Sequence, residues 1–127
     1  MEKKTGGTFK SYRDLEVWQK AMALAKNIYR ATVDFPSEER FGLVNQMRRA
    51  AVSIPSNIAE GHARSGAREF QRFVSIALGS VAELETQVIL STDLSYLVNQ
   101  TKEDLLRQLD TVGKMLRGLH KSLETRN

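Results

Sequence analysis

Gln46–Gly61, QMRRAAVSIPSNIAEG, is the stretch whose reading decides the fold. A helical apolar spacing runs into and through it: Val44, Met47, Ala51, Ile54 and Ile58, at alternating steps of three and four. Pro55 stands inside that pattern. An interior proline removes one backbone donor and clashes with the preceding turn, at a cost of about 3 kcal/mol unless the helix bends. The spacing therefore predicts a helix kinked near Pro55, with the twin arginines Arg48 and Arg49 one turn upstream and Gly61 as a natural stop. Nothing in the stretch sets a nucleophile beside a base. It reads as a segment built for packing.

Working outward, three more helices follow from spacing. Phe35-Pro36-Ser37 separates the kinked helix from one before it, because a residue preceding proline avoids the α region. Ser37 followed by Glu38 and Glu39 reads as the start of the kinked helix, with acids at the positive end of its dipole, and that helix extends to about Glu60. The earlier helix spans about Asp14 to Val33. Leu15, Trp18, Met22, Ala25, Tyr29 and Thr32 form one apolar stripe, and Val17, Ala21, Leu24 and Ile28 form a second beside it. Together the stripes cover about half of the circumference, more than the roughly 100° that a bundle helix needs for its own core. The surplus, with Val17, Leu24 and Ile28, suggests a second burial surface, which is an oligomer interface or else the mark of a helix deeply buried in a monomer.

A third helix starts near Ser65 or Gly66 and runs to about Asp93, with Phe70, Val74, Ala77, Val81, Leu84 and Val88 as its main stripe. Gly79-Ser80 in mid-helix suggests the close approach of a neighbouring backbone. The fourth helix opens on Thr101 and Asp104, an S/T-x-x-D/E start signal, and carries Leu105, Leu109, Val112, Leu116, Leu119 and Leu123 in strict four-three alternation. Four helices with short connections predict an all-α, antiparallel up-down-up-down four-helix bundle. One domain over residues 1–127 is expected, with residues 1–12 as a flexible N-terminal segment.

The totals limit the chemistry. Cysteine is absent, so disulfides and thiolate metal sites are excluded. The polar opening MEKKTGGTFKSYRD argues against a secretory signal, and no uninterrupted apolar run is long enough to span a bilayer. A cytoplasmic protein without membrane contact is expected. Lys plus Arg is 19 and Asp plus Glu is 15, a net charge of +4 that permits nucleic-acid binding without requiring it. Only His62 and His120 exist, neither with glutamate three residues before it, which excludes the carboxylate-bridged di-iron site of some helical bundles. No other metal or cofactor site has ligands at useful spacing.

The opening stretch, together with Ile76-Ala77-Leu78-Gly79-Ser80-Val81-Ala82-Glu83-Leu84-Glu85-Thr86-Gln87 and Tyr12-Arg13-Asp14-Leu15-Glu16-Val17-Trp18, resembles the four-helix-bundle family of the 23S rRNA intervening-sequence proteins. The resemblance covers about Tyr12 to Leu123. It implies a left-handed four-helix bundle assembled as a homopentamer, a ring with a central channel. The accessory proteins of diversity-generating retroelements share that architecture and bind nucleic acid and a reverse transcriptase. A polymerase-like partner is thus one implied possibility beside RNA, DNA and further copies of the chain.

Two constellations stand out. Glu85 falls among Leu78, Val81 and Ile89 on the third helix, inside the apolar arc, where an isolated charge would be very costly. Arg48 is the expected ion-pair partner and Arg49 the second choice, within one chain or between subunits. The second constellation is basic. Arg64, Arg68 and Arg72 recur every four residues, and Arg107, Lys114, Arg117 and Lys121 lie on the polar face of the fourth helix. They are candidate phosphate contacts. A solvated face interrupted by Glu69, Glu103 and Asp110 is the plainer reading, and assembly into a ring would multiply each modest patch. The sequence thus reads as a non-enzymatic homo-oligomer that binds RNA or DNA nonspecifically, with a structural or protein-interaction scaffold as the rival.

Overall fold

The computed structural model describes residues 11–125. It is all-helical, with four long helices and no strand among the described residues: α1 (Glu16–Thr32), α2 (Leu43–Ala63), α3 (Ala67–Asp93) and α4 (Asn99–Glu124). α1 packs on α2 and α4, and α3 packs on α2 and α4, which closes a four-membered ring of helices around one core. Most of the expected flexible segment 1–12 lies outside the described residues. Ser11 and Tyr12 belong to a capped turn: Ser11 Oγ accepts from the Arg13 amide at 3.1 Å, and the Tyr12 ring meets Trp18 edge-on at 5.3 Å.

The four-three spacings point inward. Leu24 and Ile28 of α1, Met47, Ile54 and Ile58 of α2, Val74, Leu84 and Val88 of α3, and Leu109, Leu116 and Leu123 of α4 are all fully buried. Each such side chain removed from water contributes about 1.5–3 kcal/mol, so this layer dominates the stability of the fold. Polar pairs set the register. Met47 faces Ser91, whose hydroxyl lies 3.4 Å from the thioether, Ser53 and Ser80 share a 2.8 Å hydrogen bond, and Gly61 abuts Phe70 and Phe73. Partner numbers thus fall along α3 as they rise along α2. Asn27 donates to Gln108 at 2.9 Å across α1 and α4.

Several expectations are corrected. Val17, Leu24 and Ile28 are 6%, 0% and 0% exposed in the single chain, so they are core and not a spare interface. The apolar surplus of α1 emerges on the other stripe, at Trp18, Met22 and Tyr29, beside α2. Ser37 does not start α2. Ser37–Glu39 is a 3₁₀ turn, and α2 begins at Leu43, whose amide is capped from outside by Glu39 Oε1 at 3.1 Å. α4 starts at Asn99, two residues before Thr101. Gly79 has open space where a side chain would sit, whereas Gly61, read as a helix stop, is the glycine at a close helix approach. As the spacing predicts, α2 runs on through Pro55, which is buried, and ends at Ala63.

By length and composition alone α3 could cross a membrane, although Glu83 and Glu85 interrupt its apolar residues. In the bundle Val74, Ala77, Val81, Leu84 and Val88 are buried in the common core.

Candidate nucleic-acid interface

The turn between α2 and α3 organises the basic residues. Gly66 takes φ 91°, a conformation that side chains resist, and lets the chain reverse within a few residues. Gly61 admits the start of α3 so closely that a β-carbon there would lie 2.7 Å from that of Phe73. The Phe73 ring then becomes a platform. The guanidinium of Arg64 stands 5.1 Å from its centroid and that of Arg72 4.8 Å, within cation–π range. Arg64 also pairs with Glu60 at 2.9 Å and Arg72 with Glu69 at 3.5 Å. Both pairs are about half exposed, and such pairs contribute only about 0–1 kcal/mol, so an arriving phosphate can compete for the guanidinium groups.

α4 supplies the rest of this end. Gln71 Nε2 donates to the His120 carbonyl at 3.1 Å, which brings Arg117 and Lys121 to the same end as Arg64, Arg68 and Arg72. The Arg117 guanidinium folds back over Gly113. Arg68, Arg117 and Lys121 are exposed and have no carboxylate partner among the described residues. Arg107 and Lys114 stand apart. They lie further back along α4, bound to Asp104 at 3.0 Å and Asp110 at 3.2 Å, and Arg107 borders a polar α1–α4 cleft with Glu16, Gln19 and Lys20. The structure therefore places five of the seven predicted phosphate contacts at one end of the bundle.

The expected Arg48–Glu85 pair is not formed within the chain. Arg48 turns to α1: its Nε donates to Thr32 Oγ1 at 3.0 Å, its Nη2 to the Tyr29 carbonyl at 3.3 Å, and its guanidinium covers the Tyr29 ring at 4.6 Å. It thus satisfies the carbonyl end of α1, where a cation is favoured. Glu85 lies on the opposite flank. Gln71, fourteen residues earlier on the same helical face, contacts α4, so Glu85 faces α4 and is half-buried at the edge of the core. Arg49 is exposed between α2 and α3, near Ser53, Ser80 and Glu83.

Sequence reasoning missed Phe73 as the platform and Glu39 as the cap of α2. Phe73 falls one place off the stripe read from Phe70 and Val74. Glu39 acts from outside the helix, through a turn that the spacing does not register. Among the described residues no group of three or more His, Cys, Asp or Glu side chains is placed to hold a metal ion.

These features define an all-helical four-helix protein with basic residues gathered at one end. The chain belongs to the 23S rRNA-intervening sequence protein family, whose sequence profile matches residues 13–118. Its fold is similar to that of a protein of unknown function from the S23 ribosomal protein family of Bacteroides thetaiotaomicron, with a TM-score of 0.75 at 24% sequence identity over 83% of this chain and 98% of that one. No curated protein sequence matches the chain.

Proposed function

We propose that the protein is a non-enzymatic, cytoplasmic, homo-oligomeric bundle that binds RNA or DNA nonspecifically through its basic end. The observation that supports this reading is the placement of Arg68, Arg117 and Lys121, unpaired among the described residues, at the same end of the bundle as Arg64 and Arg72, which are held over Phe73. Phosphate contacts of this kind give affinity without sequence preference. The Phe73 ring is covered by the arginines, so it offers bases no stacking surface.

In this reading the bundle is up-down-up-down and left-handed, α2 bends at Pro55, and the chain assembles as a pentameric ring. The falling partner numbers between α2 and α3 fit the antiparallel order. A cleft of about 610 Å³ between α1 and α2, lined by Trp18, Met22, Tyr29, Val52 and Pro55, is the apolar surface that a neighbouring copy would cover. A scaffold that docks a polymerase-like protein is the rival.

Fluorescence anisotropy with labelled RNA and duplex DNA at two salt concentrations separates the readings. Affinity should fall steeply with salt, and the triple variant Arg68→Gln/Arg117→Gln/Lys121→Gln should reduce the log-log slope on duplex DNA by about 3. Absence of binding at low salt leaves only the scaffold.

A further inference from the structure

The other end of the bundle has the opposite character. There the α1–α2 and α3–α4 connections lock together: Phe35 packs on Tyr96 at 5.2 Å, the Tyr96 hydroxyl donates to Glu39 Oε2 at 2.9 Å, and Leu97 is buried. Immediately around this lock, apolar side chains point out. Val33 is 67% exposed, Phe41 85%, Leu94 47% and Val98 67%, and Leu90 is 46% exposed one turn down α3. Five of the nine large apolar side chains left exposed among the described residues gather at this tip. A cluster of this kind marks an interaction surface, whereas isolated exposed residues do not.

The charge at the tip selects the occupant. Residues 33–41 and 90–99 carry Asp34, Glu38, Glu39 and Asp93 against Arg40 alone, in a chain whose net charge is +4. Asp34, Glu38 and Asp93 are exposed and have no ion-pair partner among the described residues. We propose that this acidic, apolar tip docks a basic protein segment with an apolar face, such as an amphipathic helix rich in lysine or arginine. Charge complementarity steers such a partner and excludes acidic ones. An anionic bilayer would be repelled by the same carboxylates. The basic end of a second copy has the right charge but the wrong surface, since none of the exposed large apolar residues lies within residues 60–72 or 114–124. α2 and α3 separate the tip from the basic end by about 30 Å at 1.5 Å per residue, so both ends can be occupied at once. This inference is independent of nucleic-acid binding.

The test uses the full chain and a fluorescein-labelled 18-residue Lys/Leu amphipathic helix, with a Glu/Leu helix of the same pattern and phosphatidylglycerol vesicles as comparisons. The Lys/Leu peptide should bind and the Glu/Leu peptide and vesicles should not. Phe41→Ser should weaken binding at least tenfold, Asp34→Lys/Glu38→Lys/Asp93→Lys should invert the preference, and Arg68→Gln/Arg117→Gln/Lys121→Gln should leave it within twofold. Equal binding of the two peptides, an unchanged Kd in Phe41→Ser, or preferential binding to vesicles would overturn the proposal. So would a fall in sedimentation mass in Phe41→Ser, which would make the tip an interface between copies.

Discussion

Gln87 and Tyr96 show how single side chains carry conflicts that the helices around them hide. Gln87 is 6% exposed on the face of α3 turned to α2, and its Oε1 has no hydrogen-bond partner among the described residues, while its Nε2 reaches Glu83 only at 3.4 Å. A buried unsatisfied acceptor costs about 1–3 kcal/mol, and an apolar group of similar shape removes that cost. Gln87→Met should therefore raise the urea-unfolding free energy by about 1 kcal/mol. A loss of that size would mean that a partner satisfies Oε1 in the assembled protein.

Tyr96 is coupled to pH. Its hydrogen bond to Glu39, then burial and the charges of Glu39 and Glu38, raise the phenol above its ordinary value. The folded state therefore holds the proton more tightly than the unfolded chain. The corresponding stability is fully present below the unfolded value of about 10 and is lost as pH rises through the folded one. The thermal midpoint of the wild type should fall from about pH 10 upward, and Tyr96→Phe should flatten that part of the profile relative to wild type. Parallel profiles for the two proteins would remove Tyr96 from the account.

At the scale of elements, two glycines exchange the roles that the spacing suggests, Gly61 as a helix stop and Gly79 as the site of a close approach. Gly61 lies at a tight approach of α2 and α3, and a β-carbon would sit 2.7 Å from Phe73 Cβ and 2.9 Å from Phe70 Cδ1. Gly61→Ala should destabilise by about 1–3 kcal/mol, because the backbone must part to admit the methyl group. Gly79 faces open space, so Gly79→Ala should stabilise by about 1 kcal/mol through helix propensity alone. Denaturant midpoints moving in the same direction for both variants would contradict the packing described. α3 ends in a left-handed Ser95 at φ 67°, with the Tyr96 amide returning to the Ser91 carbonyl at 2.8 Å and the Ser95 amide to Thr92 at 2.9 Å. This end closure holds the tyrosine in place for Glu39, and so ties two connections into one tip.

The whole molecule is polarised along its length, with basic residues at one end and an acidic apolar tip at the other, and an apolar cleft runs along one side. Val52 is 42% exposed in that cleft. If copies of the chain pack there, Val52→Glu should leave the helical content unchanged and reduce the sedimentation mass to that of a monomer. A wild type that already sediments as a monomer would remove the assembly from the proposed function. Salt acts differently on the three surfaces. It weakens phosphate binding and peptide docking by screening, while burial of the cleft is nearly insensitive.

The sequence by itself determined the four helices and, where a single stripe runs along one of them, its inward face. Apolar residues at steps of three and four leave one solution for burial, and Leu105, Leu109, Val112, Leu116 and Leu123 lie where that spacing predicts. It also marked the basic residues, since charge and spacing are local properties. Tertiary structure decided what each flank faces. Two apolar stripes on α1 look equivalent on a helical wheel, yet only packing showed that Val17, Leu24 and Ile28 turn inward while Trp18, Met22 and Tyr29 border the cleft. Arg48 and Glu85 look like partners until α1 presents Thr32 and the Tyr29 carbonyl to the arginine. The acidic apolar tip is visible only once residues more than fifty positions apart in the chain are brought together by Glu39 and Tyr96. Periodicity encodes the direction of burial along one helix, and the identity of the neighbour arises only when the helices are assembled.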